Sequence, residues 1–178
     1  YDTDDFAVIR HCLDKPVFKE KLRLRSYGVP GQNSTVYLEL KKKLDGITYK
    51  RRIAMRLCEA EEYMKGDGLP AEESQIGGEI DWYKGQRELG GKAVICYDRV
   101  ALFGKWDEEF RITFDANIRW RGYSLTLAAG DHGTMLLPRD TCLMEVKTMN
   151  VLPYWLTQIL TRLEIYPVSY SKYGTIYT

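Results

Sequence analysis

The amino-acid sequence predicts a mainly β protein of the α+β class, an antiparallel barrel closed around a polar interior, with a few helices packed outside it. Three observations predict this fold. Segments rich in Tyr, Val, Ile and Thr alternate between polar and apolar residues, which is typical of strands. Short turn-forming stretches separate several segments and favour antiparallel neighbours. Charged residues occupy one face of the segments while the other face is apolar, as a barrel with a polar interior requires.

The predicted strands follow one another along most of the chain. They are Lys19–Tyr27, Thr35–Lys42, Ile47–Met55, Lys92–Phe103, Phe110–Arg119, Cys142–Lys147 and Val168–Tyr177. A Pro-Gly pair lies in the Val29–Asn33 connection, and Asp45 and Gly46 lie between the second and third segments; both are turn signals. We therefore expect the first three strands to be antiparallel neighbours.

Helical periodicity occurs in three segments, which are Cys58–Lys65, Glu72–Tyr83 and Leu152–Leu163. In the last of them, Leu156, Ile159 and Leu160 fall on one face, and Pro153 suits a first helical turn. This pattern predicts a helix packed on the barrel. The glycine-containing breaks at Gly66–Pro70 and Gly90–Gly91 indicate loops within one fold, so we expect a single domain over residues 1–178.

Composition narrows the class of protein. The 178 residues include 26 basic and 25 acidic ones, and the net charge of +1 does not indicate a nucleic-acid or membrane-surface binder. The four cysteines are scattered without the close pairs that bind zinc, so we expect reduced thiols in a cytoplasmic protein. No apolar run approaches the roughly 20 residues needed to span a bilayer.

The most informative feature is a row of cations in the first predicted strand. Lys19, Lys21, Arg23 and Arg25 occupy alternate positions, whereas Leu22 and Leu24 lie on the other face. Like charges in a row repel one another unless an anion or acidic neighbours compensate them. The alternative is an ordinary edge strand whose charged face is washed by solvent.

Similar charged positions recur on the other predicted strands. Glu39 precedes Lys41 by two residues, as Tyr97 precedes Arg99 and Glu145 precedes Lys147, and Arg111 shares a face with Thr113 and Asp115. A polar barrel interior explains all these pairs together, although each alone resembles a surface pair. Many cations with few carboxylates suit a phosphate chain, because Arg binds phosphate oxygens through its fork and Lys acts as a point charge.

The few carboxylates suit a hard divalent cation, Mg²⁺ or Mn²⁺, that also contacts phosphate oxygens. Glu145 is the leading candidate ligand and Glu39 the second, although Glu39 could equally pair with a neighbouring Lys. Other chemistries lack support: there is no glycine-rich phosphate loop or dinucleotide fingerprint. His11 and His132 lie in loop-like contexts that favour neither phosphohistidine chemistry nor a zinc site.

Six blocks of the sequence together resemble the VTC domain, the catalytic domain of the vacuolar transporter chaperone polyphosphate polymerase. This family also occurs in bacterial proteins and is related to the triphosphate tunnel metalloenzymes. The blocks are Lys19–Gly28, Tyr37–Lys41, Tyr97–Arg99, Arg111–Asp115, Leu143–Lys147 and Ser171–Gly174. The resemblance implies an eight-stranded tunnel, and the family places a further strand ahead of Tyr1, which we expect to be missing here.

The resemblance also implies roles for particular residues. The phosphate-binding cations would be Arg23, Arg25, Lys41, Arg99, Arg111, Lys147 and Lys172. Glu145 would hold the metal, with Tyr97 and Ser171 as hydrogen-bonding companions, and strand alternation adds Lys21 to the phosphate contacts.

The implied activity is transfer of the γ-phosphate of ATP to a growing inorganic polyphosphate chain, with Mn²⁺ or Mg²⁺. Related domains work beside membrane proteins that export the polymer, so a membrane-protein partner at the cytoplasmic face is an expectation. Two alternatives remain open: a triphosphatase that uses water as the acceptor, and a non-catalytic module that binds polyphosphate.

Overall fold

The computed structural model describes residues 1–67, 74–149 and 151–178 of the chain. These residues form an α+β fold with two mainly antiparallel sheets. The strands are β1 (Phe18–Arg25), β2 (Thr35–Leu44), β3 (Ile47–Arg56), β4 (Val94–Phe103), β5 (Arg111–Arg121), β6 (Thr134–Met135) and β7 (Leu143–Lys147). The helices are α1 (Ala7–Leu13), α2 (Leu57–Lys65), α3 (Gln75–Gly85), α4 (Tyr154–Arg162) and α5 (Lys172–Tyr177), with a short 3₁₀ helix at Leu127–Ala129.

The prediction of a closed eight-stranded barrel is wrong for the described residues. They form a three-stranded sheet in the order β1-β2-β3 and a four-stranded sheet in which β5 pairs with β4, β6 and β7. Both sheets are open. The reason lies partly in the last expected strand, Val168–Tyr177, because its second half is helix α5, and partly in β6, which is only two residues long.

The chain divides into two compact units. The first comprises residues 1–94 and 121–132 together with Tyr177, and contains the β1–β3 sheet. Its strands pair in antiparallel register, with Arg23 opposite Glu39 and Glu39 opposite Arg52. One face of the sheet is apolar and packs against α2 and α3. The core there contains Leu22, Leu38, Leu40, Ile53, Tyr63, Met64, Ile80 and Tyr83.

The second unit comprises residues 95–120, 133–176 and Thr178. Its β5 and β7 strands are antiparallel, with Arg111 opposite Lys147 and Thr113 opposite Glu145. Helix α4 lies on the apolar face of these strands, where Leu156 is buried against Phe110 and Ile112. Burial of this face leaves the polar residues of β5 and β7 on the other face.

Most of the expected elements are confirmed, within a few residues at their ends. The first six expected strands match β1, β2, β3, β4, β5 and β7, and the three expected helices match α2, α3 and α4. Residues 68–73 lie outside the described part of the chain, so the start of the expected Glu72 helix and most of the Gly66–Pro70 loop do too. Within the described residues, no helix has both the length and the apolar character to cross a membrane.

Candidate functional site

The side of the β1–β3 sheet away from α2 and α3 is strongly basic. Residues directly opposite one another in adjacent strands share a face, so the pairing register places eight cations together, besides Arg56, which ends β3 and pairs with Glu59 of α2. This set, called here the β1–β3 cationic face, contains Lys19, Lys21, Arg23, Arg25, Lys41, Lys43, Lys50 and Arg52. Four of the eight were expected from the sequence to contact phosphate: Lys21, Arg23, Arg25 and Lys41.

Glu39 is the acidic residue in the middle of this face. Its side chain is buried, and its carboxylate contacts the Arg23 guanidinium at 2.6 Å and Lys50 Nζ at 2.5 Å. Burial acts to raise the pKa of Glu39, but the contact with the Lys50 ammonium and the charge of Arg23 outweigh it and hold the pKa below its ordinary value. The geometry therefore favours Glu39 as a counter-ion that fixes two cations.

Lys50 and Arg52 were not among the residues singled out from the sequence. The signal was present, because both lie on alternate positions of an expected strand and the turn at Asp45–Gly46 fixes how β3 pairs with β2. That register puts Lys50 opposite Lys41 and Arg52 opposite Glu39. Reading the register as well as the alternation would have identified them.

Lys21 differs from its neighbours because helix α1 packs near β1. Burial lowers the pKa of the Lys21 ammonium, and the nearby Cys12 on α1 partly opposes that effect. A partly desolvated ammonium has fewer water contacts to lose when an anion binds, but less room for the anion. Lys21 is therefore a partly buried cation of the β1–β3 cationic face.

The cationic row of β1 ends in aromatic residues. The guanidinium carbon of Arg25 lies 4.7 Å from the ring centre of Tyr27, and that of Arg52 lies 4.9 Å from the ring centre of Tyr37. The two tyrosine rings meet edge to face, with their centres 5.9 Å apart. Both arginines are thereby held against aromatic faces rather than left as free surface side chains.

The second unit has its own cluster, centred on Asp115 of β5. Asp115 is buried and accepts two hydrogen bonds from Arg99, at 2.6 Å from Nε and 2.7 Å from an Nη atom. It also accepts a hydrogen bond of 2.6 Å from Lys172 Nζ, which α5 supplies. Burial acts to raise the pKa of Asp115, but the bonds from Arg99 and Lys172 hold it below its ordinary value. In turn, the hydrogen bonds that Arg99 donates to Asp115 raise the pKa of the Arg99 guanidinium.

Tyr97 and Ser171 support this cluster in ways that the sequence did not indicate. The ring centre of Tyr97 lies 5.0 Å from the Arg99 guanidinium carbon and 4.7 Å from Lys172 Nζ. Ser171 begins α5, and its hydroxyl accepts a hydrogen bond from the Gly174 amide at 3.1 Å. Both residues therefore place cations, Tyr97 through its ring face and Ser171 by capping the helix that carries Lys172.

Four more polar residues share the face of β5 and β7 with Asp115. Arg111 lies opposite Lys147 and Thr113 lies opposite Glu145. Arg111 Nε and Thr113 Oγ1 are buried and have no hydrogen-bond partner within the described part of the chain. Glu145 and Lys147 are half-exposed and 3.6 Å apart. Arg111 Nε and Thr113 Oγ1 therefore each have a hydrogen that an oxygen acceptor could take up.

A divalent cation would find few protein ligands on this face. No group of three or more His, Cys, Asp or Glu residues that could hold a metal occurs in residues 1–67, 74–149 and 151–178. Mg²⁺ commonly needs only one or two carboxylates when substrate phosphates complete its coordination. Glu145, with its exposed carboxylate and the Thr113 hydroxyl opposite, has the hard oxygen chemistry that such an ion requires.

Seven residues expected to act at the site, together with Asp115, thus lie on or beside one face of the second unit, and five lie on the β1–β3 cationic face of the first.

Comparison with known families decides to which family the chain belongs. The VTC domain family model matches residues 1–178, the whole chain. The chain belongs to the VTC domain family. Among the curated proteins compared, none matches this VTC domain.

Proposed function

We propose that this VTC domain transfers the γ-phosphate of ATP to a growing inorganic polyphosphate chain. The observation that carries the proposal is the β1–β3 cationic face, in which eight cations surround the single carboxylate of Glu39. From Lys19 to Arg25 the row covers six residue steps, or about 20 Å at ~3.3 Å per residue. A row of that length suits an extended chain of phosphates better than one compact anion.

The cations have two tasks in such a transfer. Phosphoryl transfer depends on alignment and on neutralising charge, rather than on a protein nucleophile. Arg99 and Lys172 are fixed by Asp115, so they can neutralise phosphate oxygens without reorganising when the reaction occurs. Arg111 can donate its unpartnered Nε–H in the same way.

In the proposed step, a terminal oxygen of the polyphosphate chain attacks the γ-phosphorus of ATP in line. A new P–O bond forms, the bond between the γ-phosphorus and the bridging oxygen breaks, and ADP leaves with that electron pair. No general base is needed because the attacking oxygen is already ionised at neutral pH. A bound Mn²⁺ or Mg²⁺ at Glu145 would supply further charge neutralisation at the phosphates.

A second candidate function is binding of polyphosphate without catalysis. The half-exposed Glu145 with Lys147 3.6 Å away favours it, because a cation beside the carboxylate competes with a metal ion. The triphosphatase alternative differs from the proposed polymerase only in using water as the acceptor of the γ-phosphate. Action beside a membrane protein that exports the polymer, at the cytoplasmic face, belongs to the proposal as its cellular setting.

The test is to incubate the purified protein with ATP and Mn²⁺ and to follow long-chain polyphosphate, ADP and free phosphate in the same reaction. Polymer together with ADP is the expected result. Free phosphate without polymer would identify a triphosphatase, and tight polyphosphate binding with neither product would identify a binding module.

Replacing Arg99 or Arg111 with Ala should reduce the turnover rate by at least about a hundredfold, since each removes a preorganised charge from the transferring phosphate. Arg162→Ala is the matched control, because Arg162 is an exposed arginine in the last turn of α4. Rates are measured as ADP formed per unit time, with circular dichroism to confirm folding. Full turnover by folded Arg99→Ala and Arg111→Ala would refute the assignment.

A further inference from the structure

The aromatic residues at the end of the β1 row call for an explanation beyond phosphate binding. Tyr27 follows Arg25 by two residues, as Arg25 follows Arg23, so the series of cations ends in an aromatic ring. Tyr37 lies directly opposite Arg25 in β2. Tyrosine rings do not neutralise phosphate oxygens, and these two lie where the row of cations stops.

Tyr27 is exposed in an unusual way. About two thirds of its surface (68%) is accessible to solvent, although the ring contacts the Arg25 guanidinium and packs at a steep angle, 78°, to the ring of Tyr37. Contact with Arg25 over one face of the ring fixes its orientation. Because most of the residue stays exposed beside these two contacts, the ring keeps accessible surface on which a planar group can stack.

The order of chemical groups matches that of a nucleotide. A nucleoside triphosphate presents several anionic phosphates and then, beyond the sugar, one flat aromatic base. The cations Arg23 and Arg25 of β1 are followed by the ring of Tyr27, which lies two residues beyond the strand and contacts Arg25. With the phosphates on the two arginines, the base extends past the end of the strand, where the aromatic residues lie.

We propose that Tyr27, supported by Tyr37 and Arg25, forms a stacking site for the nucleobase of the phosphate donor. The inference rests on the proposed function, since it takes a nucleoside triphosphate as the donor. Base–aromatic stacking depends little on which base is bound, because every base has a π-face. The platform therefore accepts adenine and guanine nucleotides alike and distinguishes a nucleotide from inorganic polyphosphate.

The test compares two ligands that differ by the nucleoside. The probes are an ATP analogue with an imido group between the β- and γ-phosphates, which prevents turnover, and inorganic tripolyphosphate, each titrated calorimetrically with Mg²⁺ into the full chain. We expect Tyr27→Ala to weaken binding of the ATP analogue about tenfold, a typical loss for one stacked base, and to leave tripolyphosphate binding unchanged. Tyr27→Phe keeps the ring and should restore nucleotide binding.

Tyr49→Ala provides the matched control. Tyr49 is also half-exposed in the same sheet, but it lies opposite Lys42, on the other face from the cations. It should leave both affinities unchanged.

If Tyr27→Ala weakens the binding of both ligands equally, Tyr27 acts only by placing Arg25. If the affinity for the nucleotide is unchanged, no base stacks on Tyr27. Either result overturns the inference. The proposed function is tested separately with the wild-type protein. If the wild-type chain does not bind tripolyphosphate, the β1–β3 cationic face is not a phosphate-binding face.

Discussion

At the scale of single residues, Asp115 is the most informative side chain in the second unit. Both of its oxygens accept hydrogen bonds from cations, and it is almost fully buried, at 2% exposed. Such a carboxylate compensates the two cations and also fixes their positions. Arg99 keeps an Nη group that Asp115 does not use, and Lys172 keeps two of its three N–H bonds for other acceptors.

Replacing Asp115 with Asn keeps the shape of the side chain and removes its charge. We expect the free energy of unfolding to fall by about 3 kcal/mol, because removing one partner of a buried pair leaves the others uncompensated. Tripolyphosphate should also bind more weakly, since Arg99 and Lys172 are no longer held in place. Urea unfolding and calorimetric titration measure the two effects, with Asp140→Asn as an exposed control. An Asp115→Asn protein as stable as the wild type would contradict this role.

The pH dependence of stability provides a second test of Asp115. Its pKa is lower in the folded state than the ordinary value of 3.8, so its stabilisation is complete above that pH. The stabilisation is lost as the pH falls from about 3.8 through the lower folded pKa, where the folded carboxylate also takes up a proton. The stability difference between wild type and Asp115→Asn should therefore be constant from pH 5 to 7 and shrink below about pH 4. Urea midpoints at several pH values measure it, and a constant difference down to pH 2 would contradict the lowered pKa.

At the scale of elements, the sequence predicted the strands that carry the site better than the element that supplies Lys172. Period-two alternation is a local signal, and it located β1, β2, β5 and β7 together with their charged faces. Val168–Tyr177 contains the β-favouring residues Tyr173, Ile176 and Tyr177, yet its second half is helix α5. Ser171 caps that helix, and Lys172 bonds to a residue 57 positions earlier in the chain. Local propensity carries no information about such a contact.

The connection that follows β5 depends on another long-range choice, the burial of Arg121. This residue is 1% exposed, and its guanidinium donates to the backbone carbonyls of Ser124, Thr126, Gly130 and His132 at 2.9–3.1 Å. A single side chain thus satisfies the carbonyls of a loop that contains one turn of 3₁₀ helix. Sequence patterns identify Arg121 only as the end of a strand, since its partners are irregular backbone.

Replacing Arg121 with Met should therefore destabilise this loop. It leaves four carbonyls without their donor, and we expect the free energy of unfolding to fall by about 3 kcal/mol. Hydrogen exchange should increase at Thr126 to Gly130 before it increases in the β1–β3 sheet, because the loop opens locally. Arg119→Met is the comparison, since Arg119 lies on the same strand and is less buried. Equal stability of Arg121→Met and wild type would show that the loop does not need these bonds.

At the scale of the whole molecule, charge placement matters more than net charge. The chain carries a net charge of only +1, yet eight cations share one face of one sheet. Acidic residues are concentrated elsewhere, as on the opposite face, where Glu20 and Glu79 pair with Lys42. Segregation of this kind attracts a polyanion at short range without making the protein generally basic. The composition alone gave no sign of it, and the strand register was required.

This placement predicts that stabilisation by phosphate chains grows with chain length and is sensitive to salt. A ligand that binds only the folded state raises the melting temperature, and longer chains contact more of the β1–β3 cationic face. We expect long-chain polyphosphate to raise the melting temperature more than tripolyphosphate at equal phosphate concentration, and the difference to diminish between about 0.05 and 0.5 M salt as screening increases.

Combined Lys43→Gln and Arg52→Gln substitutions, which leave the contacts of Glu39 intact, should reduce the stabilisation by long chains more than that by tripolyphosphate. Arg162→Gln removes an exposed charge of helix α4, which is not part of the β1–β3 sheet, and should change neither. A stabilisation that depends on total phosphate alone, whatever the chain length, would show that the face binds separate phosphate groups rather than a continuous chain.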